Sequence, residues 1–429
     1  MSESDVQIRK VSDIVFREDL YPRIKHDSAL VQQYAENLEV MPPIEVNQNN
    51  ILIDGFHRLT AHRKVEKEEI AVVVTETQSE NELFALSIER NSKHGMQLND
   101  QDKRKTAVRL YSAGTGLDKQ RIAEVLSVTT RQVGNYLTTI DKNLKEQRNK
   151  TIFDMWLACH TQEEIAAAVD LAVGPVNEKI KKQCSDLETF PKQNKLLATF
   201  QDADFRQPLY NVWRYGECSN GTDHFGKSEQ AIVDNLLYLY TDPFDIVVDP
   251  FAGGGSTIDV CSKRLRRYWV ADRKPIPERE NEIRKHDIVV DGVPPLNKNW
   301  GLVSLTYLDP PYWRQAEGRY SNDPTDLANM PLEVFTSNVV NLVKEIGKRQ
   351  SKGAIALLIQ PTQWKTEMQF TDHVFDIISG VGNKKLVLEN RVSCPYNSEQ
   401  YNPQMVNVAK RDKKLLVLTR ELIIWSVKP

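Results

Sequence analysis

Cysteine is scarce in this sequence: five among 429 residues (Cys159, Cys184, Cys218, Cys261 and Cys394), odd in number and far apart. No Cys-x-x-Cys spacing occurs, which argues against a disulfide framework or a structural zinc site and sets a reducing cytoplasm as the expected compartment. Long hydrophobic runs are missing too. No window approaches the roughly 18 uninterrupted apolar residues of a membrane span, and Met1 to Arg9 is too polar for a signal peptide. Nor is there an excess of one charge, since 56 basic residues stand against 59 acidic ones for a net of −3. His57, His62 and His94 share no tight spacing, so no metal site is expected. What remains is an ordinary globular balance, 40% apolar and 27% charged, in a chain long enough for about two to four domains.

The neutral total hides an uneven distribution. Residues 1–100 carry a net of −7 and residues 101–150 a net of +6, a basic stretch of the kind that binds nucleic acid or simply solvates a helix. In the first hundred residues, Pro42 to Val46 and Asn50 to Ile53 read as short strands around a polar turn. Gly55 breaks that pattern before a helix from Phe56 to Lys64, Ile70 to Val74 is a third strand, and residues 80–92 a helical run. Residues 101–186 are helical in pattern and hold two helix-turn-helix candidates. In the first, Ile122 to Leu126 ends one helix, Ser127-Val128-Thr129 turns, and Thr130 to Ile140 forms the second with Val133 and Leu137 inward. Arg131, Gln132, Asn135 and Tyr136 are then expected to point outward, with Lys119 and Arg121 on the basic flank, as DNA contacts. The second candidate starts at Thr161 and carries Val176 and Ile180 on its later helix. A polar stretch from Leu187 to Phe205 with Pro191 and Pro208 suggests a boundary, and from Tyr210 onward strands alternate with helices as in an open parallel sheet.

The sharpest local pattern runs from Asp245 to Thr257: an apolar strand ending in Asp249, the turn Pro250-Phe251-Ala252-Gly253-Gly254-Gly255, then a helix. Glycines there let backbone approach a ligand at a helix N-terminus. A phosphate loop would need a lysine after the last glycine, and a dinucleotide loop a third glycine where Ile258 stands. A carboxylate at Asp249 suits a cationic ligand better. Asp272, ending a second strand nineteen positions after Gly253, falls where a ribose-binding acid sits in such folds. Asp291, after Ile288-Val289-Val290, is expected to end a third strand and meet an adenine edge. Leu305 to Leu308 then leads into Asp309-Pro310-Pro311-Tyr312. Two prolines stiffen the backbone and remove N–H donors, so the Asp309 carboxylate and Pro310 carbonyl are two acceptors matched to an exocyclic amine, with Tyr312 as a stacking face.

On these motifs, residues 220–429 resemble a class I S-adenosylmethionine-dependent DNA amino-methyltransferase, adenine-N6 or cytosine-N4. The resemblance implies a Rossmann-like α/β fold, S-adenosylmethionine held by Asp249, Phe251, Ala252, Gly253, Gly255, Asp272 and Asp291, and catalysis by Asp309, Pro310, Pro311 and Tyr312. His224 to Gln230 resembles the segment that closes over the methionine moiety, which adds Lys227 and Ser228 to the cofactor set. The family's cytosine-N4 members more often carry Ser at the first tetrad position, so Asp309 points to adenine. No Pro-Cys nucleophile appears, which argues against cytosine-C5 chemistry. Residues 1–100 resemble an α+β ParB-like domain through Asp54 to Ala61 and Ile88 to His94, implying nucleotide contacts at Gly55, His57, Arg58, Glu89 and Arg90. The alternative for Arg58 and Glu89 is a plain ion pair. The expected whole is therefore a ParB-like domain, a helical segment and a methyltransferase domain at 205–429, acting on double-stranded DNA, with a homodimer left open. Rivals are a non-catalytic DNA-binding protein with a remnant methyltransferase half, or an enzyme acting on RNA or protein glutamine. Two loops, Arg314 to Met330 and Cys394 to Lys414, are expected to examine the base, the second through Tyr396, Asn397, Gln400, Tyr401, Asn402 and Gln404.

Overall fold

A computed structural model of the protein describes residues 6–22, 27–94, 100–112, 117–185, 190–215, 229–315, 317–318, 321–363, 370–382, 384–395 and 403–429. The chain divides into two units, Met1–Gln147 and Arg148–Pro429. This differs from the three-part division expected from the sequence.

In the first unit, four short strands form one sheet: β1 (Val6–Lys10), β2 (Ile44–Val46), β3 (Leu52–Asp54) and β4 (Glu69–Val74), in the order β1-β4-β2-β3. β2 runs parallel to β4 and the other pairs are antiparallel. Helices α1 (Ser28–Ala35), α2 (Phe56–Lys64) and α3 (Glu80–His94) accompany it. Gly55 makes the sharp entry to α2: its φ is +106°, and a Cβ there would lie 2.6 Å from Ile44 Cγ2. Helices α4 (Asp100–Ser112), α5 (Lys119–Leu126) and α6 (Thr130–Leu157) follow. α5 and the start of α6 form the first helix-turn-helix pair, with Ser127 left-handed at the turn (φ 53°). Ile122, Leu126, Val133 and Leu137 are fully buried against Leu83, Ile88 and Leu110. Tyr136 corrects the outward expectation. It is buried in this core, and its hydroxyl donates to Asp100.

The second unit begins within α6. Its helices α7 (Gln162–Ala168) and α8 (Val173–Cys184) form the second pair, opened by a capping box between Thr161 and Glu164 and packed through Ile165, Val176 and Ile180. Next come α9 (Lys192–Ala198) and α10 (Gln230–Tyr240), then alternating strands and helices: β5 (Ile246–Asp249), α11 (Ser256–Lys263), β6 (Arg267–Asp272), β7 (Arg284–Lys285), β8 (Val303–Leu308), α12 (Leu332–Arg349) and β9 (Ala354–Ile359). A small ladder pairs β10 (Thr362–Gln363) with β11 (Phe370–Thr371), and α13 (His373–Val381), β12 (Leu386–Pro395), α14 (Pro403–Arg411) and β13 (Thr419–Val427) complete the chain. The sheet order is β12-β13-β9-β8-β5-β6-β7, with β13 antiparallel to both neighbours and the strands from β9 to β7 mutually parallel. This is the expected Rossmann-like α/β architecture. Strands β8 and β9 are buried along their whole length, as strands covered on both faces must be.

Three expectations fail in this unit. The third strand is Arg284–Lys285, and Ile288 to Val290 forms a turn instead. By sequence pattern, Leu415 to Leu418 and Leu422 to Ser426 read as two strands of a hairpin around Arg420-Glu421, but Leu415 to Leu418 is not a strand and both turn residues lie inside β13, which pairs with β12. A charged pair reads as a turn, but Arg420 is only 2% exposed because a buried carboxylate, Glu229, neutralises it. Finally, residues before 205 share the methyltransferase core. Phe153, Leu157 and Ala198 cluster with Val247 and Leu305, and Arg264 and Arg266 donate to the carbonyls of Leu197 and Ala198.

Candidate active site

Strand order reverses beside β5. The chain moves outward to β6 and β7 on one side, then crosses to β8 and β9 on the other. In open α/β sheets ligands bind in the crevice at that reversal, beyond the carboxyl ends of the strands. Asp249 ends β5 and Asp309 follows β8, so the two carboxylates flank the crevice.

Asp249 shapes the glycine turn. It is 2% exposed, accepts the Phe251 N–H at 2.9 Å on one oxygen and the Thr257 hydroxyl at 2.5 Å on the other. Gly253 (φ 49°) and Gly255 (φ 82°) take the left-handed conformations of the turn. Ala252 is buried and its N–H donates to Ala271 at 2.9 Å, which stitches the turn to β6. Asp272 accepts the Gly253 N–H at 3.0 Å and the Lys274 N–H at 2.9 Å. Burial pushes the Asp249 carboxyl up to about 7, the Thr257 and Phe251 hydrogen bonds oppose the rise, and the charges of Asp309 and Asp272 add to it. Asp309 and Asp272 therefore both act on Asp249, an arrangement of negative charge that suits a cation.

At β8, Asp309 is half-buried and accepts two phenol hydroxyls, Tyr312 at 3.0 Å and Tyr307 at 3.3 Å. Pro310 is buried and Pro311 half-buried. Tyr307 was missed from the sequence, although its place two residues before Asp309 on a strand puts both on one face. Arg279 was missed with no signal to find it: its guanidinium donates to Gly255 O at 3.1 Å and pairs with Asp259 at 2.9 Å, bracing the turn from outside. Trp313 packs in the core, its indole N–H donating to Met330 O at 2.8 Å. The loop after it is bonded to itself and to Arg273, the residue that follows β6. Asn329 donates to Ser321 O and Asp323 O, and Arg273 pairs with Asp323 and Asp287.

Asp291 needs correction as a strand-end acid. It lies in the turn beyond β7, is about half exposed, and accepts the Asp287 N–H at 2.8 Å. It lines a cavity of about 380 Å³ with Asn338, Leu342 and Glu345 of α12, whose walls include none of Asp249, Asp272 and Asp309. Lys227, Ser228, Tyr396, Asn397, Gln400, Tyr401 and Asn402 lie outside the described residues, while Gln404 is on α14. Among the described residues no group of three or more His, Cys, Asp or Glu side chains could hold a metal, and no helix is long and apolar enough to cross a membrane.

In the first unit, Arg131 and Asn135 are exposed on α6. Gln132 is committed to the helix start, exchanging hydrogen bonds with Thr129 at 3.0 and 3.2 Å. Lys119 pairs with Asp141, and Arg121 with Glu124 at 2.7 Å. Arg58 pairs with Asp54 at 2.8 Å and donates to the Pro42 and Pro43 carbonyls rather than meeting Glu89. Arg90 pairs with Glu45 at 2.9 Å, and buried His57 accepts the Asp27 N–H at 3.1 Å.

Residues 61–275, half of the chain, match the sequence profile of the N6/N4-type DNA methylases. The chain belongs to that DNA methylase family. The matched stretch takes in the glycine turn and Asp272 and stops before Asp309. Methyl transfer to an exocyclic amine of DNA is therefore this methylase's reaction class. No curated protein matches the chain. Solved structures similar to parts of it include the C-terminally truncated chromosome-partitioning protein ParB from Caulobacter crescentus complexed to the centromeric parS site (12% identity, 41% of this chain, 99% of that chain, TM-score 0.26). Others are a pNOB8-like ParB N-domain (12%, 43%, 80%, 0.27) and an rRNA methylase from Streptococcus thermophilus (13%, 48%, 99%, 0.29).

Proposed function

We propose that this methylase is a site-specific DNA methyltransferase that moves a methyl group from S-adenosylmethionine to N6 of adenine. The observation that carries the reading is the Asp309 carboxylate at the end of β8, facing the glycine turn of β5 across the crevice. The turn fits the cofactor: left-handed glycines leave room for close approach, and the acids of β5 and β6 suit a cation bearing a ribose. Asp249, Phe251, Ala252, Gly253, Gly255 and Asp272 would hold it, with Lys227 and Ser228 completing the proposed set. When bound, S-adenosylmethionine supplies an electrophilic methyl group on a sulfonium. The chain's own part is positioning. Asp309 and the Pro310 carbonyl accept the two N–H bonds of the amine so that its lone pair is free, and Pro311 keeps the backbone rigid. Tyr312 supplies a face for an extruded base while its hydroxyl steadies Asp309. Parallel assays of tritium transfer from labelled S-adenosylmethionine to DNA, RNA and protein test the reading. Label in DNA alone supports it, and label in RNA or protein alone overturns it.

Cofactor affinity should depend on pH through Asp249. Its folded pKa of about 7 lies above the usual carboxylate range, so its contribution to stability is present below roughly pH 4 and lost as the pH rises through 7. A cationic ligand favours the ionised form. S-adenosylmethionine affinity is thus expected to rise about tenfold between pH 6 and pH 8, and calorimetry on Asp249→Asn should find that slope gone.

The helix-turn-helix surface is proposed to dock the duplex, with Lys119, Arg121 and Arg131 on phosphates and Gln132 and Asn135 near the groove. Replacing the three basic residues by alanine should weaken DNA binding and lower the magnitude of its salt slope by about two to three. Of the three, Arg131 should matter most, since Lys119 and Arg121 already have acidic partners. An unchanged slope in a salt titration returns these charges to a solvated surface. A nucleotide-binding role for Gly55, His57, Arg58, Glu89 and Arg90 belongs to the same proposal for the ParB-like part.

A further inference from the structure

Glu229 is the residue immediately before α10, a position where a side chain ordinarily caps the helix, yet its carboxylate caps nothing. It reaches instead to Arg420 in β13, which donates to both of its oxygens at 2.8 and 2.7 Å. Both side chains are withdrawn from solvent, 7% and 2% exposed. Arg420 also donates to Cys394 O at 3.4 Å, its register partner on β12. The pair therefore locks the start of α10 to the crevice end of the two outermost strands.

A buried ion pair is a poor source of stability. Desolvation offsets most of its attraction, and apolar side chains of similar volume commonly hold a fold as well or better. What such a pair does provide is a single geometry: one Arg420 nitrogen, Nη2, is shared between both Glu229 oxygens while Nε of the same planar guanidinium donates to Cys394 O. Its surroundings indicate what that geometry serves. Gln230, the next residue, bonds Asp259 of the cofactor-side helix α11 at 3.3 Å, and the two residues before Glu229 are Lys227 and Ser228 of the proposed cofactor set. Cys394, the register partner of Arg420, is itself fully buried, so the pair is anchored in the core of the sheet and not on its surface.

We propose that Glu229 and Arg420 are positioning residues that set the start of α10 at the height needed for cofactor binding. The inference rests on the methyltransferase reading above. The decisive variant replaces both partners, Glu229→Leu with Arg420→Met, so that no buried charge is left alone. The double variant is expected to keep the wild-type melting temperature within a few degrees and to raise the S-adenosylmethionine Kd at least tenfold by calorimetry. Wild-type affinity in a folded double variant would overturn the inference and reduce the pair to packing. If the double variant does not fold, Glu229→Asp decides in its place: it keeps the charge and withdraws the carboxylate by one methylene. A tenfold weaker Kd upholds the inference, and a Kd within twofold of wild type refutes it. Failure of the wild-type protein itself to bind S-adenosylmethionine would instead bring down the functional reading, and the inference with it.

Discussion

Asp309→Ala is expected to lose at least about a hundredfold in methyl transfer while binding S-adenosylmethionine nearly as well as wild type. The carboxylate is half-buried at the end of β8, and its two phenol partners, Tyr307 and Tyr312, come from its own strand and turn. The bonds that shape the glycine turn run to other acids, Phe251 and Thr257 to Asp249 and Gly253 to Asp272, and none of these is lost with Asp309. Removing it therefore takes an acceptor from the amine and leaves the cofactor turn standing. Loss of both activities would mean that Asp309 organises the cofactor site, and retention of both would mean that it does neither. Single-turnover rates beside calorimetric affinities separate these outcomes.

The largest effect on stability is expected at Asp234. Arg264 is only 1% exposed and places two donors on this carboxylate, both at 2.6 Å, with a third on Leu197 O at 2.7 Å. Its guanidinium also lies 4.2 Å from the centre of the Phe200 ring. Asp234→Ala strands that charge among apolar neighbours, which costs about 3–5 kcal/mol. In a unit of this size the melting transition should fall by roughly 10 °C. A scanning calorimetry trace unchanged within two degrees would show that Arg264 finds another partner.

Phe200 also explains why one domain edge was hidden. Residues 187–205 read as a polar, proline-marked linker, yet Phe190 packs with Phe153 and Phe244, and Phe200 and Phe205 lie over Arg264. Aromatic rings that bury themselves on arginines leave no periodic apolar pattern. Arg420 hid for the same reason, because a charge neutralised by a residue 191 positions away looks locally like a turn. Tyr136 read as a surface residue because its hydroxyl partner, Asp100, belongs to another helix. The glycine turn after β5 and the tetrad after β8 were legible because their chemistry is local: strand, tight turn and acid follow one another in the chain. Asp291 was misplaced because Ile288 to Val290 has the composition of a strand, while the ladder beside β6 closes at Arg284 and Lys285.

The proposal that this methylase acts on the amine of adenine is tested most directly by the product. DNA incubated with the full chain and S-adenosylmethionine, then digested to nucleosides and resolved by mass spectrometry, should contain N6-methyldeoxyadenosine, with none formed by Asp309→Ala. Modification confined to N4-methyldeoxycytidine would contradict the choice of adenine, and unmodified nucleosides throughout would contradict the catalytic reading itself.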